Sequence, residues 1–218
     1  MAKSVKAAVI VAHPDDETLW AGGTILMHAD WQWTVVSLCR ASDPDRAPKF
    51  RRALRELGAK GEIGDLDDGP RQEPLTQSDI RQSILSLLPE TKFSLIMTHS
   101  PWGEYTRHLR HEETSRAVAS LWENGDLSAD ELQMFAYEDG GKSYLPRPIK
   151  SAHRSVNLPD NIWQQKYRIV TQLYGFEPES YEAKIVQREE AFWCFRSVAE
   201  FEKWIKGKGR KNESTGPV

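Results

Sequence analysis

Apolar positions along this chain alternate between two periods. Residues 6 to 12 form a short continuous apolar run rich in Val and Ile that ends in a polar turn, as expected of a strand covered on both faces. Residues 33 to 39 (WTVVSLC) and 93 to 98 (FSLIMT) repeat that character. Between these runs the spacing becomes helical. Helices are predicted over 17 to 29, over 46 to 58 with Phe50, Ala53, Leu54 and Leu57 on one face, and over 77 to 88, where Ile80, Ile84, Leu87 and Leu88 precede Pro89. A further helix is expected over 112 to 122, with Ala117, Val118 and Leu121 on its stripe. Strands alternating with helices build a parallel sheet. The fold class read from this pattern is α/β, a Rossmann-like three-layer sandwich with a mainly parallel sheet.

Farther along, LQMFAY (132 to 137) and AFWCF (191 to 195) read as strands, and 159 to 174 and 198 to 206 as helices. Residues 139 to 158, broken by Gly and Pro, read as a long surface connection that overhangs a site. The polar residues 206 to 218 read as a frayed tail, leaving one domain over 1 to 205.

Length and charge narrow the function classes. A chain of 218 residues fits one α/β domain with a filled core. Its 29 Lys+Arg against 32 Asp+Glu provide no positive excess for a phosphate backbone, so nucleic acid is not an expected partner. The first apolar run ends at Ala12, far short of the roughly 20 residues a membrane span needs, and no secretory signal is read. Cys39 and Cys194 stand alone in apolar stretches and read as buried thiols of a reducing, cytoplasmic compartment. Oligomeric state is left open, a homo-oligomer included.

Candidate chemistry lies just after two of the strands, where open parallel sheets bind ligands. His13-Pro14-Asp15-Asp16-Glu17 follows the first, and His99 to His111, with His108 and His111 three apart, follows the 93 to 98 strand. One acid in the first turn is explained by helix capping. Capping leaves two adjacent carboxylates and a histidine unexplained, and convergent donors of this type suit a metal.

The run Ala12-His13-Pro14-Asp15-Asp16-Glu17, then Gly22-Gly23-Thr24-Ile25 and later His108-x-x-His111, resembles the PIG-L / LmbE-like family of zinc-dependent N-acetylglucosamine deacetylases. Arg46, Ala53, Leu57-Gly58, the acidic turn Asp67-Asp68-Gly69 and the 163 to 174 helix extend the resemblance over most of residues 5 to 200. It implies that His13, Asp16 and His111 bind Zn2+, that Asp15 is the general base and that His108 faces an N-acetylated sugar or glycoconjugate. Three protein ligands leave a position for water, and a protonated His108 would then stabilise the oxyanion of amide hydrolysis.

The chain also departs from the family pattern. Arg110 stands where relatives commonly carry an acid that orients the last histidine, Lys49 replaces a usual Glu, and Tyr105 lies three residues before His108. Arg46 is expected either to grip substrate or to pair with Asp43 or Asp45, and Asp68 is a candidate of the same standing. Trp20 and Trp102 offer indole faces to a sugar or belong to the core. His28 and His153 read as structural or exposed, and His99 is left unassigned. Two other readings are a non-haem Fe2+ oxygenase with a two-His-one-carboxylate site and a non-catalytic sugar-binding module.

Overall fold

The computed structural model describes residues 4 to 106 and 108 to 213, with side chains described as far as residue 207. Strand β1 (Lys6–Val11) lies inside the sheet, and its side chains divide between two cores. Ala7, Val9 and Val11 face helix α1 (Asp16–Met27) and helix α2 (Arg46–Glu56). Ala8 and Ile10 face the other way, toward helix α3 (Gln77–Leu87) and helix α4 (Leu109–Glu123). Period-2 alternation with both faces covered is what a buried parallel strand requires, and each large side chain so buried stabilises by about 1.5–3 kcal/mol.

Strands β2 (Gln32–Cys39), β3 (Lys60–Leu66), β4 (Lys92–Thr98) and β5 (Ser128–Phe135) join β1 in parallel, in the order β3-β2-β1-β4-β5. Two short strands follow, β6 (Tyr137–Glu138) and β7 (Arg147–Pro148), which pair with each other. Beyond β5 the sheet is extended antiparallel by β9 (Glu189–Phe195) and then β8 (Arg154–Asn157). The three-layer α/β sandwich is as the hydrophobic pattern predicts.

Several differences have plain physical causes. The sequence pattern does not announce β3, because only Ile63 of its seven residues is buried; as an edge strand it needs no apolar alternation. The 139 to 158 connection contains β7 and β8, whose polar residues likewise sit at sheet margins. The helix expected over 159 to 174 is α5 (Asp160–Arg168) continued by a π-helical turn, Ile169–Leu173. A short helix α6 (Tyr181–Lys184) follows, and α7 (Val198–Glu213) runs past the expected end at 206, with Lys206 paired four residues back to Glu202. Residues 214 to 218 of the expected tail lie outside the described residues. Cys39 is buried and Cys194 half-buried; burial pushes their thiols up to about 12 and about 11, so neither is a ready nucleophile. No described helix is long and apolar enough to cross a membrane.

The functional consequence is the reversal of strand order at β1. The chain leaves β1 toward β2 and β3, then returns to β4 on the opposite side, which opens a crevice at the carboxyl ends of β1 and β4. His13 follows one strand and His99 the other.

Candidate metal centre and its supporting shell

The turn after β1 is strained and braced. Asp15 has φ +114, a conformation that side-chain-bearing residues rarely adopt, and strain of this kind persists only where the surroundings hold it. Its carboxylate makes no capping bond; it accepts instead from Arg46 Nη1 at 3.0 Å. The bracing comes from the neighbouring acid. Fully buried Glu17 accepts from the Asp15 amide (3.0 Å), the Thr18 hydroxyl (2.6 Å) and the Tyr174 hydroxyl (2.8 Å), the last delivered by the π-helical turn. Simple capping therefore fails for Asp15, and Glu17 is the strut.

Three donor atoms converge beside this turn. His13 Nδ1 lies 3.2 Å from Asp16 Oδ2 and 3.3 Å from His111 Nε2, and His111 Nε2 lies 3.3 Å from Asp16 Oδ2. Tetrahedral zinc with bonds near 2.1 Å would separate its donors by about 3.4 Å, so this triangle has the size of one face of such a site. Two overlapping groups of metal-competent side chains occur here, His13 with His108 and His111, and Asp16 with His99 and His111.

Each histidine of the triangle has a carboxylate behind it. Glu104 Oε2 lies 2.7 Å from His111 Nδ1, which assigns the ring proton to Nδ1 and leaves Nε2 a lone pair facing the triangle. On the other side, Asp68 Oδ1 is 3.3 Å from His13 Nε2, close to it without the alignment of a hydrogen bond. Asp16 is itself oriented, Oδ2 accepting from the His13 amide and Oδ1 from the Trp20 indole at 3.0 Å.

The charges agree with this geometry. Burial opposes ionisation of Asp16, yet His111, with help from His13, holds its carboxyl well below the usual range. For Glu104 burial is opposed by the ring N–H groups of His111 and His99 that reach it, which hold its carboxyl below the usual range. Burial disfavours the charged forms of His13 and His111, but Asp16 and the flanking carboxylates raise both. A cation is thus welcome among these groups, as a proton or as a divalent ion that displaces it.

His99 is held apart from this role. Burial lowers its pKa and the Glu104 and Asp16 carboxylates raise it, on balance to about 9, but the Ala12 amide donates to its Nε2 at 3.0 Å. That bond needs a lone pair and decides the matter: His99 is neutral, with its proton on Nδ1 toward Glu104 at 2.9 Å. With Nε2 already engaged, His99 orders Glu104 and the end of β1.

Several expected site residues take different positions. Arg110 points away from His111; its buried guanidinium donates to the carbonyls of Asp67 (2.6 Å) and Glu73 (2.8 Å) and to Glu113 (2.6 Å). It clamps the segment that carries Asp68, while the orienting acid sought next to His111 comes from Glu104, seven residues upstream. Trp20 is buried in the core at the floor of the cleft, which it helps to line, and its indole donates to Asp16. Trp102 lies outside the cleft, its ring 5.1 Å from that of Trp204. Asp68 lines the cleft and is engaged by Arg40 and Gln72, and Arg46 pairs with Asp15 while Asp43 accepts only its backbone amide. His28 stacks on Trp31, and His153 is exposed beside the Cys194 backbone.

His108 lines the cleft, stacked on His111 at 4.3 Å, and its Nδ1 is buried without a hydrogen-bond partner. Burial and the neighbouring His111 and His13 charges depress its pKa to about 3. That direction favours a neutral imidazole over the protonated form expected from the sequence. Asp15 moves in the opposite sense, pushed well above the usual carboxylate range by burial and by Asp16, with Arg46 opposing.

Glu104 and the brace around Glu17 escape the sequence reading, since neither a loop acid nor a first-turn acid has a periodic signal. Glu104→Gln is expected to weaken divalent-metal affinity about 10- to 100-fold in chelator competition, as loss of such support does. Unchanged affinity would show that His111 needs no orienting carboxylate.

The cleft has a volume of about 310 Å³ and is bounded by His13, Asp15, Arg46, Asp68, Tyr105 and His108. Comparison with known proteins bears on it directly. The profile of the family described as PIG-L, GlcNAc-PI de-N-acetylase, matches residues 8 to 122, which take in most of β1, the His-Pro-Asp-Asp turn and the His-x-x-His segment. The chain belongs to the PIG-L family. Among similar solved structures is the N,N'-diacetylchitobiose deacetylase of Pyrococcus horikoshii, with TM-score 0.65, 17% identity, and 89% of this chain and 85% of that chain covered. A deacetylase of the teicoplanin biosynthesis pathway, also solved in a zinc-inhibited form, aligns at TM-score 0.64 with 15% identity over 88% of this chain and 98% of its own. The 4-carboxy-2-hydroxymuconate hydratase of Pseudomonas putida aligns at TM-score 0.63 with 16% identity over 89% of this chain and 98% of its own. These likenesses establish the fold, and a fold shared by deacetylases and a hydratase does not choose the reaction. Family membership together with the deacetylase neighbours supports a hydrolase of the deacetylase type.

Proposed function

We propose that the protein hydrolyses the acetamide of an N-acetylated amino sugar or N-acetylglucosaminyl conjugate, using a divalent ion held by His13, Asp16 and His111. The observation that carries this reading is the donor triangle of 3.2–3.3 Å edges with Asp15, the adjacent residue, opening onto the same cleft. Zn2+ suits two imidazoles and a carboxylate, and Fe2+ accepts the same set. When bound, the ion polarises the amide carbonyl and acidifies water.

The chain's own residues supply the rest. Asp15, with its raised affinity for protons, takes one from the attacking water and returns it to the departing amine, giving free amine and acetate. Arg46 at 3.0 Å keeps that carboxylate oriented and moderates its basicity. Neutral His108 donates a ring N–H to the developing oxyanion; a neutral donor serves because it needs no prior protonation. Glu104 and Asp68 keep His111 and His13 in place.

Asp15 sets the pH response. Arg46 lowers its pKa, so Arg46→Ala is expected to raise it and move the acidic limb of the kcat/KM profile to higher pH. A limb that stays in place or moves to lower pH contradicts the assignment of Asp15 as base. The reading as a whole is tested by measuring acetate and free amine from N-acetylglucosaminides with the metal-loaded protein under nitrogen. Release without oxygen supports hydrolysis over the Fe2+ oxygenase and binding-module alternatives, and its absence across N-acyl glycosides would overturn it.

A further inference from the structure

Four residues other than glycine have a positive φ among those described: Asp15, Arg40, Gln72 and Lys142. Asp15 belongs to the turn that precedes α1. Arg40 and Gln72, at φ +77 and +48, sit on different loops, one directly after β2 and the other after β3, yet their side chains end on the same carboxylate. Arg40 Nε donates to Asp68 Oδ2 at 2.8 Å, and its Nη2 stands 2.5 Å from the same oxygen. Gln72 Nε2 donates to Asp68 Oδ1 at 2.8 Å. Two strained segments thus converge on one acid of the cleft.

The fold alone does not account for this convergence. A left-handed backbone is unfavourable for residues with a side chain, and an ion pair whose arginine is 45% exposed contributes too little to offset it. The two loops are joined without the pair. The Ala41 amide donates to the Gly64 carbonyl at 2.9 Å, and Asp65 Oδ1 accepts from the amide and the hydroxyl of Ser42, both at 3.0 Å. What Arg40 and Gln72 add is aim. With Oδ2 held by one and Oδ1 by the other, Asp68 presents Oδ1 at 3.3 Å from His13 Nε2, on the edge of the ring opposite the Nδ1 that enters the donor triangle. His13 Nε2 is buried and makes no aligned hydrogen bond, so the hold on this ring depends on where Asp68 is placed.

We infer that Arg40 and Gln72 are positioning residues that act through Asp68 to hold the His13 ring in its metal-binding orientation, and that the backbone strain at both positions serves this aim. The inference rests on the metal centre proposed above. Neither residue touches the donor triangle, and each reaches it through a carboxylate that is not itself one of the three donors.

The test measures Zn2+ affinity by chelator competition, together with acetate release from N-acetylglucosaminides, for the wild type, Arg40→Gly, Gln72→Gly and the double variant, and for the same glycine changes combined with Asp68→Asn. Glycine adopts the left-handed backbone without strain, so the loops keep their course while the grip on Asp68 is lost. The double variant is expected to weaken Zn2+ binding about 10- to 100-fold, the range lost when such outer support is removed, and each single variant by less. On the Asp68→Asn background neither glycine should weaken binding further, because both act through that carboxylate. Lys142→Gly relieves the same kind of strain in the loop after β6 and should leave the affinity unchanged. Unchanged affinity in the double variant, a loss that persists on the Asp68→Asn background, or an equal loss in Lys142→Gly overturns the positioning role. A higher KM at unchanged metal affinity assigns Asp68 to the substrate and overturns it as well. Zn2+ affinity that depends on Arg40 and Gln72 without acetate release leaves the role standing and overturns the hydrolase. A wild type that takes up no divalent ion overturns the metal centre and the positioning role together.

Discussion

Asp15→Asn is expected to cut kcat/KM for deacetylation by about 10²–10⁴-fold, the contribution typical of a positioned general base, with metal content unchanged. Asparagine is the informative replacement. It keeps an oxygen for the Arg46 guanidinium and is among the residues most tolerant of positive φ, whereas alanine would add backbone strain at φ +114 to the loss of the base. Asp15 is not one of the three converging donors, so removing its charge should leave the ion in place. Kinetics paired with elemental analysis separate the possibilities. Full activity in this variant would remove Asp15 from the mechanism, and loss of the ion would make it part of the metal site.

A second large effect is expected far from the chemistry. Lys166 of α5 and Glu190 of β9 form a fully buried ion pair, Nζ to Oε1 at 2.7 Å. Glu190 also accepts from the Gly23 amide (2.7 Å), the Thr24 amide (2.8 Å) and the Thr24 hydroxyl (2.7 Å), so one carboxylate pins the Gly-Gly-Thr stretch of α1 to the sheet. Gly23 is required there, because a Cβ would stand 2.4 Å from Leu158 and 2.9 Å from Glu190 Oε1. Lys166→Ala strands the carboxylate and should reduce the unfolding free energy in urea by about 3–5 kcal/mol. Lys166→Met with Glu190→Gln removes both charges and should cost much less. Equal losses in the single and double variants would show that packing, and not an uncompensated charge, sets the effect.

How far the sequence reveals this protein depends on how each residue acts. The first strand is legible because Ala7 to Val11 are apolar on both faces, while β3, polar on an edge, leaves no such trace. The His-Pro-Asp-Asp turn and the His-x-x-His pair are legible because their residues are local in sequence. The structure brings His13, Asp16 and His111 together across 98 residues, and Asp15, His108, Arg46 and Asp68 to the same cleft. Support is harder to read. Glu104 reaches His111 from an irregular loop, and Glu17 looks like any first-turn acid until Tyr174 meets it. Trp20 is ambiguous for the converse reason, since an indole on α1 carries no mark that it both lines a cleft and supports a carboxylate from within the core.

The proposed metal centre places one divalent ion between the turn that follows β1 and the start of α4. Anomalous scattering from crystals of the metal-loaded protein tests it most directly. A single strong peak is expected within about 2.0–2.2 Å of His13 Nδ1, Asp16 Oδ2 and His111 Nε2. A peak bound through His99, or an ion elsewhere with that triangle still closed by protons, would contradict it.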